Sequence, residues 1–169
     1  MVRLKLSTFI AAPVNAVYER VTFYGPEGPT DNEAFKKHYG ETKERSNDVY
    51  FVTEDAKRYP DDPPELISWR CTFVYAKSRN MEAVDSTWAD RRDNFVPEDD
   101  GTRWNVEWNV RTGWLRGLTQ IFGFRVWAHK RMRAKMLDPV KEFFEGGEGW
   151  VESPEDVALR ERALKEKVL

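Results

Sequence analysis

Arg125 and His129 stand four residues apart in a stretch whose regularly spaced neighbours Leu118, Phe122, Met132, Met136, Val140 and Phe143 are apolar. Four residues make about one helical turn, so on a helix the pair shares a face with that apolar set, while Trp127, Arg131 and Asp138 lie opposite. A guanidinium in such an arc needs a partner, because Arg is almost never fully buried unpaired. Two chemistries satisfy it. In the first, Arg125 is held by a structural carboxylate such as Asp85 or Asp90, and His129 hydrogen-bonds to a strand residue. In the second, both present donors to an oxygen of a bound molecule. An enolate or carboxylate would be stabilised there, and His129 could move a proton near neutral pH.

The tryptophans are the second candidate group. Trp69, Trp88, Trp104 and Trp108 fall in the part of the chain with a two-residue period. Rings at alternate strand positions build ordinary core, and they also line ligand-sized hollows. Their indole N–H groups need partners when buried, which suits a hollow holding water or a polar ligand atom. Met132 and Met136 fill gaps in a core or form an adaptable wall. The candidate ligand-binding set is therefore Trp69, Trp88, Trp104, Trp108, Phe122, Arg125, His129 and Met132. Cys71 points inward without a basic neighbour and reads as inert core. No nucleophile–base pair, metal-ligand spacing or Gly-rich phosphate loop stands out, so no catalytic residue is assigned and neither metal nor cofactor is expected. The run His129-Lys130-Arg131-Met132-Arg133 winds around the helix as a solvated face.

These residues need elements to position them. Leu4, Leu6, Thr8 and Ile10 alternate with polar residues, which predicts a half-buried strand. Pro13 then opens a helix carrying Val14, Val17, Tyr18 and Val21 at helical spacing, ended by Gly25-Pro26-Glu27-Gly28-Pro29. Thr30 to Glu33 forms a capping box for a short second helix bearing Phe35 and Tyr39. From 41 to 111 the period is two, with strands predicted at 41–46, 49–55, 65–75 and 103–110 and a hairpin signal at Asp100-Gly101. Residues 82–96 are the least legible, because neither parity is cleanly apolar. A helix spans 113–145, kinked at Pro139, which cannot donate to the Lys135 carbonyl. The expected division is a domain over 1–147 and a tail over 148–169 with a short helix.

Bulk properties narrow the classes. The 169 residues carry seven Trp, ten Phe and six Tyr, enough ring area for a thick core or a lined hollow. A net charge of −2 disfavours a dedicated nucleic-acid binder. No apolar run approaches a membrane span, and the first residues alternate rather than forming a leader's apolar stretch. One cysteine fits a reducing cytoplasm, the expected location.

The opening Ser7-Thr8-Phe9-Ile10-Ala11-Ala12-Pro13-Val14-Asn15-Ala16-Val17-Tyr18, followed by β-α-α-β(n)-α order, resembles the START-related helix-grip (SRPBCC) superfamily, polyketide cyclase/dehydrase-like subgroup. The likeness runs over about residues 4–145. It implies an α+β fold in which a curved antiparallel sheet of six or seven strands wraps a long C-terminal helix. It also implies a cavity for apolar or aromatic molecules, and it brings no shared catalytic signature. The stretch from Phe23 to Gly28 and on through Ala34 to Tyr39 is similar instead to EthD-like proteins, dimeric α+β barrels. Three functions follow: a binder of a lipid- or polyketide-like molecule; a cyclase, dehydratase or isomerase using His129 and Arg125; or a module that fills its own pocket and forms a homodimer through the tail helix.

Overall fold

A computed structural model describes residues 2–28, 33–39, 42–46, 49–56, 65–84, 89–110, 126 and 129–146. Its strands are β1 (Val2–Ile10), β2 (Thr42–Ser46), β3 (Val49–Ala56), β4 (Glu65–Val74), β5 (Ser78–Ala83), β6 (Ala89–Glu98) and β7 (Gly101–Val110). They form one curved antiparallel sheet in the order β1-β7-β6-β5-β4-β3-β2. β2 through β7 succeed one another as neighbours, and β1 closes onto β7. Helices α1 (Val14–Thr22) and α2 (Glu33–His38) occupy the connection from β1 to β2. The described part of the C-terminal helix, α3, covers 129–145 and packs on β1 and α1. The sheet-and-helix architecture is the expected helix-grip fold. It overturns the EthD-like barrel, because a ferredoxin-type unit interleaves helices between paired strands instead of running six strands as a meander.

The inner face is set by alternation. On β1, Leu4, Leu6, Thr8 and Ile10 are all buried, and on β4 so are Ile67, Trp69, Cys71 and Phe73. Register aligns these side chains into rungs across the sheet. One rung runs Leu4, Trp108, Arg91, Met81, Cys71, Tyr50 across six strands. The next runs Leu6, Val106, Asp93, Arg79, Phe73.

One end of this face is closed by α1 and α2. Tyr18 meets Phe95 edge-on at 5.1 Å, and Tyr24 stacks on Phe73 at 4.5 Å. Phe35 and Tyr39, the pair predicted from their spacing, are fully buried and 4.6 Å apart. Each ring buried in this way contributes roughly 1.5–3 kcal/mol. The β6–β7 hairpin forms where expected, but Glu98 pairs with Gly101, so Asp99 and Asp100 make the turn. Gly101 is needed for another reason: a Cβ there would sit 2.3 Å from the Ile10 carbonyl oxygen.

The C-terminal helix departs from its predicted register. Residues Arg133–Leu137 form a π-helical turn just before Pro139, which stands in the first turn of the segment Asp138–Glu145. The wider turn takes in one extra residue, so later positions lag an unbroken helix by about 100°. Leu137 and Phe144 therefore take the buried positions, whereas Phe143, placed inward by simple periodicity, is half exposed. Met132, Met136 and Val140 pack partly buried against the core. The tail from 147 onward lies outside the described residues.

Candidate functional site

The hydrophobic inner face carries three charged side chains at its centre. Arg79 on β5 donates from Nε and Nη2 to Asp93 Oδ2 on β6, at 3.0 and 2.9 Å. Its Nη1 donates to the Tyr39 hydroxyl at 2.8 Å and the Val21 carbonyl at 3.3 Å. Arg91 donates from Nε and Nη2 to Asp93 Oδ1, at 3.2 and 2.8 Å. Trp104 Nε1 donates to that same oxygen at 3.0 Å. The Asp93 and Arg79 side chains are essentially inaccessible, and Arg91 is 14% exposed.

Two guanidiniums against one carboxylate leave a surplus positive charge among the described residues of this cluster. Burial opposes the Asp93 charge, but Arg79 and Arg91 outweigh it and hold its carboxyl below the usual range. Arg79 is raised, since burial is outweighed by Asp93 and Tyr39. Arg91 is lowered: burial is the largest cause, and Arg79 adds to it against the pull of Asp93. His38, the last residue of α2, stacks on Phe23 at 4.1 Å. Desolvation, then the Arg79 and Arg91 charges, push its pKa down to about 4. A second polar link ties the β4–β5 turn to α1. There the half-buried Tyr75 hydroxyl donates to Glu19, and burial followed by that bond raises its pKa.

Beside the charged cluster the face changes character. Arg91 lies over the Trp108 ring, 5.3 Å from its centroid. Among the described residues, the Nε1 atoms of Trp69 and Trp108 and the Oδ1 atom of Asn109 are buried without a hydrogen-bond partner. Arg91 spends Nε and Nη2 on Asp93, and its Nη1 has no hydrogen-bond partner among the described residues. Trp69, Trp108 and Arg91 thus supply donors only, amid Met81, Ala83 and Cys71.

Of the predicted site residues, the structure brings Trp69, Trp104 and Trp108 to this face and leaves Met132 half-buried against the core. Trp104 is committed to Asp93 and stacks on Phe95 with 5° between planes. Trp88, Phe122 and Arg125 lie outside the described residues, as does Asp85. His129 is exposed, which corrects the expectation that it points at the sheet. Arg79, Arg91 and Asp93 were missed. Their signal was the parity of β6, where Arg91, Asp93 and Phe95 share one face and two opposite charges disguise an inward row. Among the described residues no cluster of His, Cys, Asp and Glu could hold a metal ion.

No known family profile and no curated protein matches the chain. Solved structures do. The di-domain ARO/CYC BexL from the BE-7585A biosynthetic pathway superposes with a TM-score of 0.58 at 13% identity, over 86% of this chain and 50% of BexL. The chain thus spans half the length of that protein. The Aha1 dimer from Colwellia psychrerythraea gives 0.53 at 15% identity, over 88% of this chain and all of the other. ChR145 from Cytophaga hutchinsonii gives 0.54 at 12%, over 86% and 94%. The shared feature is the helix-grip fold. Among the described residues no helix is long and apolar enough to cross a membrane.

Proposed function

We propose that the protein binds an apolar or aromatic small molecule, lipid- or polyketide-like, between its sheet and C-terminal helix. The observation that carries this reading is the pair of buried, unpartnered indole N–H groups at Trp69 and Trp108. A buried donor without an acceptor costs about 1–3 kcal/mol, and two on one face are accounted for if a ligand supplies the acceptors. The lining assigned here is Trp69, Trp108, Met81 and Met132; Trp104 shares their face with its N–H already spent on Asp93. Trp88, Phe122 and Arg125 belong to the lining on spacing alone. Native mass spectrometry of the purified protein should reveal a co-purifying small molecule. N-phenyl-1-naphthylamine, a neutral dye, should bind with quenching of Trp emission. Absence of both a co-purifying molecule and dye binding would overturn the reading.

A second reading is a cyclase-, dehydratase- or isomerase-type enzyme, favoured by the likeness to the di-domain ARO/CYC. With His129 exposed, its proton chemistry would have to come from other residues or from the ligand. Conversion of the co-purified molecule by fresh protein, followed by mass, separates the two readings.

A further inference from the structure

Arg91, Trp69 and Trp108 together specify more than an apolar occupant. The binding face offers three donors and, among its described residues, no unpartnered side-chain acceptor, so a pure hydrocarbon would leave these donors unanswered. The Arg79–Asp93–Arg91 cluster carries one positive charge more than it neutralises, and Arg91 is the member that retains both exposure and an uncommitted nitrogen. The Arg91 guanidinium lies over the Trp108 ring, so charge and indole meet at one end of the face. Trp69 stands on β4 and Trp108 on β7, three strand spacings apart, roughly 14 Å between backbones before the indoles reach inward. One oxygen cannot answer both indoles, whereas a flat molecule of two or three fused rings can.

Resting on the proposed binding function, we infer that the ligand is a planar oxygenated aromatic acid: an anionic oxygen, carboxylate or phenolate, at the Arg91–Trp108 end, and a second acceptor oxygen toward Trp69. Asp93 positions Arg91 by occupying its Nε and Nη2. Arg79 in turn keeps Asp93 charged, so a change at Arg91 leaves the carboxylate with a partner.

The test compares two dyes of one ring skeleton, neutral N-phenyl-1-naphthylamine and anionic 1-anilinonaphthalene-8-sulfonate. The wild-type protein should bind the anion about tenfold or more tightly than the neutral dye, the worth of a charged hydrogen bond. Arg91→Met should reduce that ratio to about threefold or less, and Arg91→Lys should restore part of it. Trp69→Phe should weaken 9,10-anthraquinone-2-carboxylate more than it weakens 2-anthracenecarboxylate, which lacks the second acceptor. Equal affinity for the two dyes, or a ratio untouched by Arg91→Met, overturns the acid while leaving the binding function standing. Failure of every dye to bind sinks both. If Arg91→Met does not fold, salt dependence decides in the wild-type protein: anion binding should weaken with added chloride and neutral binding should not.

Discussion

Toward α1 and α2, the inner face of the sheet holds rings whose polar atoms have been answered by the protein itself. Tyr39 accepts from Arg79, Tyr18 donates to the Ser78 carbonyl, and Trp104 donates to Asp93. A rung or two away, Trp69 and Trp108 are equally aromatic and have buried indole nitrogens with no partner among the described residues. Both regions come from the same alternation on the same strands. The contrast shows that ring content does not distinguish core from site; the balance of donors and acceptors does.

The comparison breaks most severely if its shared anchor is removed. Asp93→Asn leaves two buried guanidiniums without a counter-charge and should destabilise the fold by about 3–5 kcal/mol, measured by urea unfolding. Next comes a matched pair of substitutions. Trp104→Phe removes ring volume and a hydrogen bond to a charged oxygen, and should cost about 2–4 kcal/mol. Trp69→Phe loses comparable volume but also removes an unanswered donor, and should cost about 0–1.5 kcal/mol. Equal losses at the two positions would erase the distinction between the regions. Tyr39→Phe, which takes an acceptor from Arg79, should cost about 1.5–3 kcal/mol.

The smallest effect is one of pH. His38 has a folded pKa of about 4 against its ordinary 6.5. The unfolded chain therefore binds more protons between those values, and stability falls as pH drops from 6.5 to about 4. Replacing His38 by Phe should flatten that part of the curve. The Asp93 contribution, present above the ordinary carboxylate pKa, should disappear only at lower pH.

Much of the fold was legible because its strands obey simple alternation. The alternation within Leu4 to Ile10, Ile67 to Phe73 and Trp104 to Val106 places these residues on the face where the fold buries them. The site was legible in part. Trp69 and Trp108 stood out by type and period, but Arg91 and Asp93 did not, since a charge on an inward row looks like a surface residue until its partner across the sheet is known. β5 was hidden for the same reason, with Arg79 sharing its inward parity with Met81 and Ala83. On α3, unbroken helical periodicity failed past the π turn before Pro139, which rotated Phe143 outward; His129, ahead of that turn, is exposed as well.

The central claim concerns which indoles meet a ligand, and indole N–H resonances report on it directly. In 15N-labelled protein, with the Trp signals assigned from single Trp→Phe variants, addition of 1-anilinonaphthalene-8-sulfonate should shift the Trp69 and Trp108 peaks and slow their exchange with water. The Trp104 peak, already bonded to Asp93, should stay in place. A titration that moves Trp104 while Trp69 and Trp108 remain fixed would contradict the account.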